Sequence, residues 1–218
     1  MSQLARLLLV LGLAVTSACR AEAPPARAAA PFDYWLLALS WSPEYCASTR
    51  NADETQCERA YQFVVHGLWP QYEIGYPRDC ARVAPVPDQL VERMLPLMPS
   101  ERLIDHEWRK HGACSGLEVQ EYFLQTERAR RRVVIPDAYA SPQKPITTNV
   151  AEIERRFIAE NPGLSAEGIA LSCSKRWLSE VRICLDHDFA FRNCGRDVSD
   201  RCRGEVNIRP SKPGRAPR

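Results

Sequence analysis

Three observations predict a single domain with an α+β fold. Apolar and aromatic stretches of strand length are interspersed with amphipathic stretches of helix length, without the strand–helix–strand rhythm of a parallel sheet. The roughly 180 residues between the two ends of the chain suit one domain with a sizeable core. Eight of the nine cysteines fall within that span. We therefore expect one disulfide-stapled domain, residues 33–208, with a central, mostly antiparallel sheet flanked by helices.

The elements are assigned from hydrophobic spacing in chain order. The second strand carries His66 near its C-terminal end, where functional groups are often found. The helix that starts at Ser115 has a Ser-x-x-Glu capping box with Glu118. The predicted strands are 34–41, 62–68, 168–173 and 177–185, and the predicted helices are 88–95, 115–130 and 149–159.

Residues 1–18 have the pattern of a secretory signal sequence, in which small residues follow an apolar run too short to span a bilayer. Cleavage after Ala18 would leave Cys19 at the new N-terminus, where a lipid anchor could be attached. The lipid-attachment motif before Cys19 has Thr16 where a larger apolar residue is usual, so we expect the soluble protein rather than the lipid-anchored one. The protein should therefore be secreted or periplasmic, in an oxidising compartment where cysteines form disulfides.

The net positive charge of the chain comes from its two ends. An Ala- and Pro-rich linker, residues 19–32, follows the signal, and a basic tail, residues 209–218, ends the chain. The formal net charge is +2, and the chain becomes net negative once residues 1–30 and the tail are removed. A protein that holds long nucleic acid by neutralising phosphates normally has a basic face. The sequence therefore does not indicate a tight binder of long nucleic acid. We expect a monomer because no exposed apolar stripe stands out, and no cofactor-binding glycine loop is visible in the sequence.

The stretch HEWRKHGAC, from His106 to Cys114, has the highest density of chemically active side chains. As a helix it would place Glu107 and His111 on one side, and Lys110 can lean toward the same site. A carboxyl, an ammonium and an imidazole together can move a proton and stabilise a developing anion. The simplest alternative is a charged surface helix in which such pairs only aid solubility.

A zinc site is the sharper alternative, because His-Glu-x-x-His is a metalloprotease signature. His106 and His111 are five residues apart rather than four, which places them roughly 140° apart around a helix. Two imidazoles so separated do not bind one ion from one face, and the chain has no Cys-x-x-Cys pair. We therefore expect no metal.

The stretch FVVHGLWPQY, Phe63 to Tyr72, supplies the partner histidine, His66. HGLWPQ followed about forty residues later by HEWRKHGAC resembles the two active-site segments of the ribonuclease T2 family. WSPEYC, from Trp41, and LSEVRICLDHDFAFRNC, from Leu178, also match, so the resemblance spans residues 34–202.

The resemblance implies a metal-independent endoribonuclease acting on single-stranded RNA with low base specificity. Its general base would be His111 and its general acid His66, with Glu107 and Lys110 stabilising the charged phosphorane and His106 touching the phosphate. The product would be a 2′,3′-cyclic phosphate, slowly hydrolysed to a 3′-phosphate, and mildly acidic conditions should suit the histidines. DNA lacks the 2′-hydroxyl and should be inert.

The base sites are also implied by the resemblance. Trp69 and Tyr72 lie beside His66 in the chain and could stack on a base. A second base site would lie just before the HEWRKH segment, at residues 99, 100 and 103. The implied disulfides are Cys46–Cys57, Cys80–Cys114, Cys173–Cys202 and Cys184–Cys194.

Three alternatives remain at this point. The chain could be a catalytically idle secreted relative that acts as an RNA-binding or toxin-like protein, although the intact His66, Glu107, Lys110 and His111 argue against that. It could be a metal-dependent hydrolase of another class, or a disulfide scaffold in which the motif match is coincidence.

Overall fold

The structure is a computed structural model that describes residues 31–48, 55–78, 80 and 82–211. The predicted signal sequence and Cys19 lie outside the described residues, as do most of the predicted linker and tail. Among the helices of the described part, none is both long enough and apolar enough to cross a membrane.

The two boundaries of the predicted domain are tied into the fold. Phe32, in the predicted linker, is buried and packs edge-on against Trp35, with ring centroids 4.3 Å apart. Arg209, at the start of the predicted tail, forms an ion pair with the buried Glu44. The packed part of the chain therefore extends at least one residue beyond each predicted boundary.

Six strands form the sheet of the described residues: β1 (Tyr34–Trp41), β2 (Phe63–Gln71), β3 (Ile146–Asn149), β4 (Ile169–Ser174), β5 (Trp177–Leu185) and β6 (Glu205–Ile208). β1 pairs antiparallel with β2 and with β5, and β5 also pairs antiparallel with β4. The one parallel contact joins β5 to β6, which in turn pairs antiparallel with β3. The sheet is mostly antiparallel, and the predicted α+β class is confirmed.

The helices of the described residues are α1 (Ser42–Ser48), α2 (Thr55–Glu58), α3 (Asp88–Met94), α4 (Glu101–Lys110), α5 (Val119–Arg132), α6 (Asp137–Ala140) and α7 (Val150–Glu160). The main core forms where alternate β1 residues such as Leu37 and Leu39 meet Trp108 of α4, Tyr122 of α5 and Phe157 of α7. The opposite face of β1 contributes to a smaller cluster. β1 is buried on both faces, which explains why its sequence is an apolar run interrupted only by the half-buried Ser40.

The predicted capping box at Ser115 is wrong. α5 begins at Val119, and its N-cap Glu118 makes no capping hydrogen bond through its side chain. The Ser115 hydroxyl instead donates to the carbonyl of Gly112 at 2.6 Å and accepts the N–H of Leu117 at 3.2 Å. The turn after α4 uses this hydroxyl, so it does not cap the next helix.

The second strand is longer than predicted. β2 continues to Gln71, so His66 lies near its middle rather than near its C-terminal end. Pro70 is within β2, opposite Trp35. A proline is tolerated there because β2 is an edge strand, whose outer backbone groups need no partner.

Four disulfides join the cysteines of the domain in the pairs that the resemblance implies: Cys46–Cys57, Cys80–Cys114, Cys173–Cys202 and Cys184–Cys194. The second bridge ties the segment after β2 to the turn after α4. It therefore holds the two motif segments together. Each bridge contributes roughly 2–4 kcal/mol, chiefly by restricting the unfolded chain.

Candidate active site

His66 lies at a β-bulge in β2. Ala38 of β1 is opposite Gly67, whereas Leu39 is opposite Val65, so His66 is the additional residue on β2. A bulge bends its strand locally and re-aims a side chain. The side chain of His66 is 36% exposed and lines a cleft at this edge of the sheet.

α4 brings the second motif to the same cleft. The side chain of Ser100 caps the helix by accepting a backbone N–H of its first turn. His111 is the C-cap, and its N–H donates to the carbonyl of Glu107 at 2.9 Å. Because these two residues are one turn apart, both side chains face the cleft, and Lys110 and His106 of α4 line it as well.

The carboxyl group of Glu107 is the centre of the site. One oxygen, Oε1, lies 3.7 Å from Nε2 of His66, and the other, Oε2, lies 4.0 Å from Nε2 of His111. Oε2 also accepts the indole N–H of Trp69 at 2.6 Å. A Cβ atom on Gly67 would lie 2.1 Å from Oε2, so only glycine leaves room for this carboxyl group.

Trp69 packs against both histidines. Its ring meets His66 edge-on and lies nearly parallel to the ring of His111, with ring centroids 5.2 Å apart in each case. Together with its hydrogen bond to Glu107, these contacts make Trp69 a support for three side chains of the site.

The structure brings most of the predicted site residues into one cleft. The predicted site residues that line it are His66, Trp69, His106, Glu107, Lys110 and His111. Tyr72 is 40% exposed and does not line the cleft. Tyr76 does, with its ring centroid 6.3 Å from that of His111.

A second cavity adjoins the cleft on the other side of His66 and His106. Ser100 and Leu103, two of the three residues predicted for a second base site, line it together with the small Ser40 of β1. The two cavities share the two histidines, so a chain of nucleotides could pass from one to the other across them.

Two functional-site residues, Glu180 and Arg182, were missed by the sequence reasoning. Nδ1 of His66 hydrogen-bonds Oε1 of Glu180 at 2.7 Å, and Arg182 pairs with the other oxygen of that carboxylate at 2.5 Å. Val181 and Ile183 alternate into the core on β5, so a pair of charges on its other face was the one available signal. That pair of charges does not indicate which residue of another strand the two side chains contact.

The two cleft histidines have their pKa values shifted in opposite directions. Burial lowers the pKa of His66, but the hydrogen bond and charge of Glu180, with the charge of Glu107, outweigh it and leave that pKa above its ordinary value. Burial, assisted by the charge of Lys110, lowers the pKa of His111 to about 3. Burial also raises the pKa of Glu107 to about 7, against the opposing effects of His66 and Trp69. At mildly acidic pH the cleft therefore holds a cationic His66, a neutral His111 and a largely protonated Glu107.

Comparisons with known proteins assign the chain to a family. The family model described as Ribonuclease T2 family matches residues 32–194. The chain belongs to the ribonuclease T2 family. It is 39% identical over 167 residues to a ribonuclease of Aeromonas hydrophila, covering 73% of this chain and 74% of that protein. It is 32% identical over 183 residues to a probable ribonuclease of Haemophilus influenzae, covering 77% of this chain and 62% of that protein.

Solved structures agree with the family assignment. RNase NT, in complex with 5′-AMP, superposes with a TM-score of 0.69 at 25% identity, covering 82% of this chain and 98% of that one. The ribonuclease MC1 from seeds of bitter gourd has a TM-score of 0.66 at 23% identity over 80% of this chain and 99% of that one, and therefore supports the fold alone.

The protein is accordingly an endoribonuclease of the metal-independent T2 type. None of these comparisons supports the alternative of an idle relative. Among the described residues, no group of three or more His, Cys, Asp and Glu side chains is arranged to hold a metal ion.

Proposed function

We propose that this T2 ribonuclease cleaves single-stranded RNA by transphosphorylation, with His111 as general base and His66 as general acid. The observation that carries the proposal is the placement of the two imidazoles, whose Nε2 atoms face the two oxygens of one carboxyl group at 3.7 and 4.0 Å. A phosphate over that carboxyl group would meet one histidine on each side.

The opposite pKa shifts support this division of roles. A general base must be neutral before it acts, and burial keeps His111 neutral at mildly acidic pH. A general acid must carry a proton, and the carboxylate of Glu180 beside His66 keeps it protonated. Sites in which neighbours push two titratable pKa values apart commonly divide the acid and base roles in this way.

In the first step, Nε2 of His111 takes the proton of the 2′-hydroxyl. The 2′-oxygen then bonds to phosphorus, the bond from phosphorus to the 5′-oxygen breaks, and His66 protonates the departing oxygen. This gives a 2′,3′-cyclic phosphate and a free 5′-hydroxyl. In a slower second step the roles reverse, and water opens the ring to leave a 3′-phosphate.

The remaining cleft residues would stabilise the phosphorane. Glu107, with a pKa of about 7, is largely protonated under mildly acidic conditions and can donate a hydrogen bond to a phosphoryl oxygen. Lys110 supplies a positive charge at the same cleft, and His106 lies where it can touch the phosphate. Trp69 holds Glu107 and His111 in place, and Tyr76 rather than the predicted Tyr72 is positioned to meet a base. Base selectivity should be low, because stacking accepts any base.

Cleavage in the presence of excess EDTA tests the proposal. The disulfide-intact protein should convert single-stranded RNA at about pH 5 to fragments whose ends, read by mass, are 2′,3′-cyclic phosphates. The His111→Ala variant should lose at least about 10²-fold in rate. His187→Ala is the matched control, since His187 packs against Phe32 and does not line the cleft. Equal activity in all three proteins, or products with other ends, would contradict the roles assigned here.

We also propose that the protein acts in a secreted or periplasmic setting as a soluble monomer. Eight disulfide-bonded cysteines support an oxidising compartment. N-terminal sequencing and mass measurement of the mature protein would test this. A start after residue 18 without added lipid mass is expected, and a diacylglycerol on Cys19 would overturn the soluble form.

A further inference from the structure

Glu180 is a buried charge that the reaction described above does not use. It lies on β5 and is 6% exposed, outside both motif segments. Its partner on β1 is Ser40, and β1 separates it from β2, which carries His66. Neighbouring strands lie about 4.8 Å apart, so a side chain must cross roughly twice that distance to reach from β5 to β2. The small side chain of Ser40 leaves the space that this reach needs.

The carboxylate of Glu180 is held at both oxygens. Oε1 hydrogen-bonds Nδ1 of His66 at 2.7 Å, and Oε2 accepts from Nε of Arg182 at 2.5 Å. The guanidinium of Arg182 in turn lies 5.5 Å from the centre of the Trp69 ring. Its side chain is 18% exposed, so the arrangement is largely shielded from solvent.

We propose that Glu180, anchored by Arg182, is a positioning residue for the general acid, holding the Nδ1–H of His66 so that Nε2 delivers the proton. This rests on the proposed role of His66. A carboxylate that accepts from Nδ1 stabilises the imidazolium before the transfer. After the transfer it keeps the remaining proton on Nδ1, so Nε2 is the atom that is reloaded. Glu180 itself neither gains nor loses a proton.

The charged and titratable groups around His66 come from two elements. Glu107, His106 and the C-cap residue His111 face it from α4. Glu180 and Arg182 face it from β5. Although burial raises the pKa of Glu180, the hydrogen bond from His66 and the charge of Arg182 outweigh that effect and leave the pKa below its ordinary value. Glu180 is therefore ionised across the working range and gives His66 a constant negative neighbour. Glu107, by contrast, titrates near neutral pH.

Glu180→Gln removes the charge while keeping an oxygen that can accept from Nδ1. The direct readout is the ¹⁵N titration of the His66 ring. Its pKa should fall by about one unit or more, because a contacting opposite charge shifts a pKa by that amount. The contribution of His66 to the alkaline limb of the kcat/KM profile should move to lower pH by the same interval, while that of Glu107 should stay near pH 7. On RNA, kcat should fall at least about tenfold at pH 7 while KM changes little.

A second comparison distinguishes a specific effect on proton donation by His66 from a general loss of activity. With a nucleoside 3′-(p-nitrophenyl phosphate), the leaving group departs without protonation, so Glu180→Gln should lose much less than on RNA. Glu180→Asp keeps the charge on a shorter side chain and should retain more of the His66 pKa than Glu180→Gln. Glu44→Gln is the matched control, since Glu44 is also a buried carboxylate paired with an arginine, but it lies outside the cleft.

The outcomes separate this proposal from the proposed function. An unchanged ring titration of His66 in Glu180→Gln would overturn the positioning role, even if RNA cleavage needs His66. Equal losses on RNA and on the activated ester, or equal losses in Glu44→Gln, would also overturn it. Full activity of a His66→Ala variant would instead overturn the proposed function, while the ring titration would still report whether Glu180 holds this histidine.

Discussion

His66 and His111 face the same carboxyl group from opposite electrical surroundings. His66 lies at a strand bulge and is about one-third exposed, and its hydrogen bond to the carboxylate of Glu180 raises its pKa. His111 ends a helix beside Lys110, with its side chain 10% exposed under the Trp69 ring, which lowers its pKa. The same residue type thus acquires opposite protonation states at one pH. The neighbours, rather than the imidazoles, decide which histidine can give a proton and which can take one.

The largest effect should come from removing either histidine. His66→Ala and His111→Ala should each lose roughly 10²–10⁴-fold in kcat/KM on RNA. On a nucleoside 3′-(p-nitrophenyl phosphate), His66→Ala should recover most of its activity and His111→Ala should not. The p-nitrophenolate leaves without being protonated, so the general acid is no longer needed, but the 2′-hydroxyl must still lose its proton to the general base. Steady-state rates on the two substrates measure this. If His111→Ala recovered its activity instead, the general acid would be His111 and the general base His66.

The alkaline limb of the pH profile should be steeper than one histidine can produce. Both His66 and Glu107 must be protonated, and the pKa of Glu107 is about 7. The logarithm of kcat/KM should therefore fall with a slope approaching two above neutral pH. Glu107→Gln removes one titration, so its slope should approach one although its overall rate falls. An identical slope in both proteins would mean that Glu107 acts as the anion.

Removing the indole N–H of Trp69 should cost less. Trp69→Phe loses the 2.6 Å hydrogen bond to Glu107 but retains a ring against His111, so kcat should fall about tenfold. The matched control is Trp108→Phe, which loses an indole hydrogen bond to the carbonyl of Ala84 outside the cleft. That variant should lose thermal stability while keeping its kcat at temperatures where it is folded. Equal kcat losses would show that the Trp69 hydrogen bond has no special role.

The last effect concerns stability rather than rate. The folded pKa of His111, about 3, lies below its ordinary value of 6.5, so the unfolded chain binds the additional proton and stability is lost as the pH falls below 6.5. Between pH 7 and pH 5 this amounts to about 2 kcal/mol. His111→Asn lacks this pH-dependent contribution. The difference in unfolding free energy between wild type and variant should therefore change by about 2 kcal/mol between pH 7 and pH 5. Urea denaturation at the two pH values measures it, and a constant gap would mean that His111 is not buried as a neutral ring.

Local spacing explains what sequence reasoning predicted of the site. Glu107 and His111 meet because residues one helical turn apart share a face, and that relation needs no other part of the chain. The error at Ser115 has an equally local cause, since its hydroxyl had a second partner in the preceding turn. Tyr72 and Tyr76 could not be distinguished because the loop after β2 has no periodicity from which to judge which ring faces the cleft.

The sequence by itself determined the α+β class, most of the strands and helices, and the helix that carries Glu107 and His111, because hydrophobic and helical periodicity act over a few residues. Only the tertiary structure decided the bulge that re-aims His66, the room that Gly67 leaves for Glu107, and the meeting of His66 with Glu180. Those relations join different elements through strand register and close approach. The opposite pKa shifts of the two histidines depend on them, because burial and charged neighbours exist only once the chain has folded.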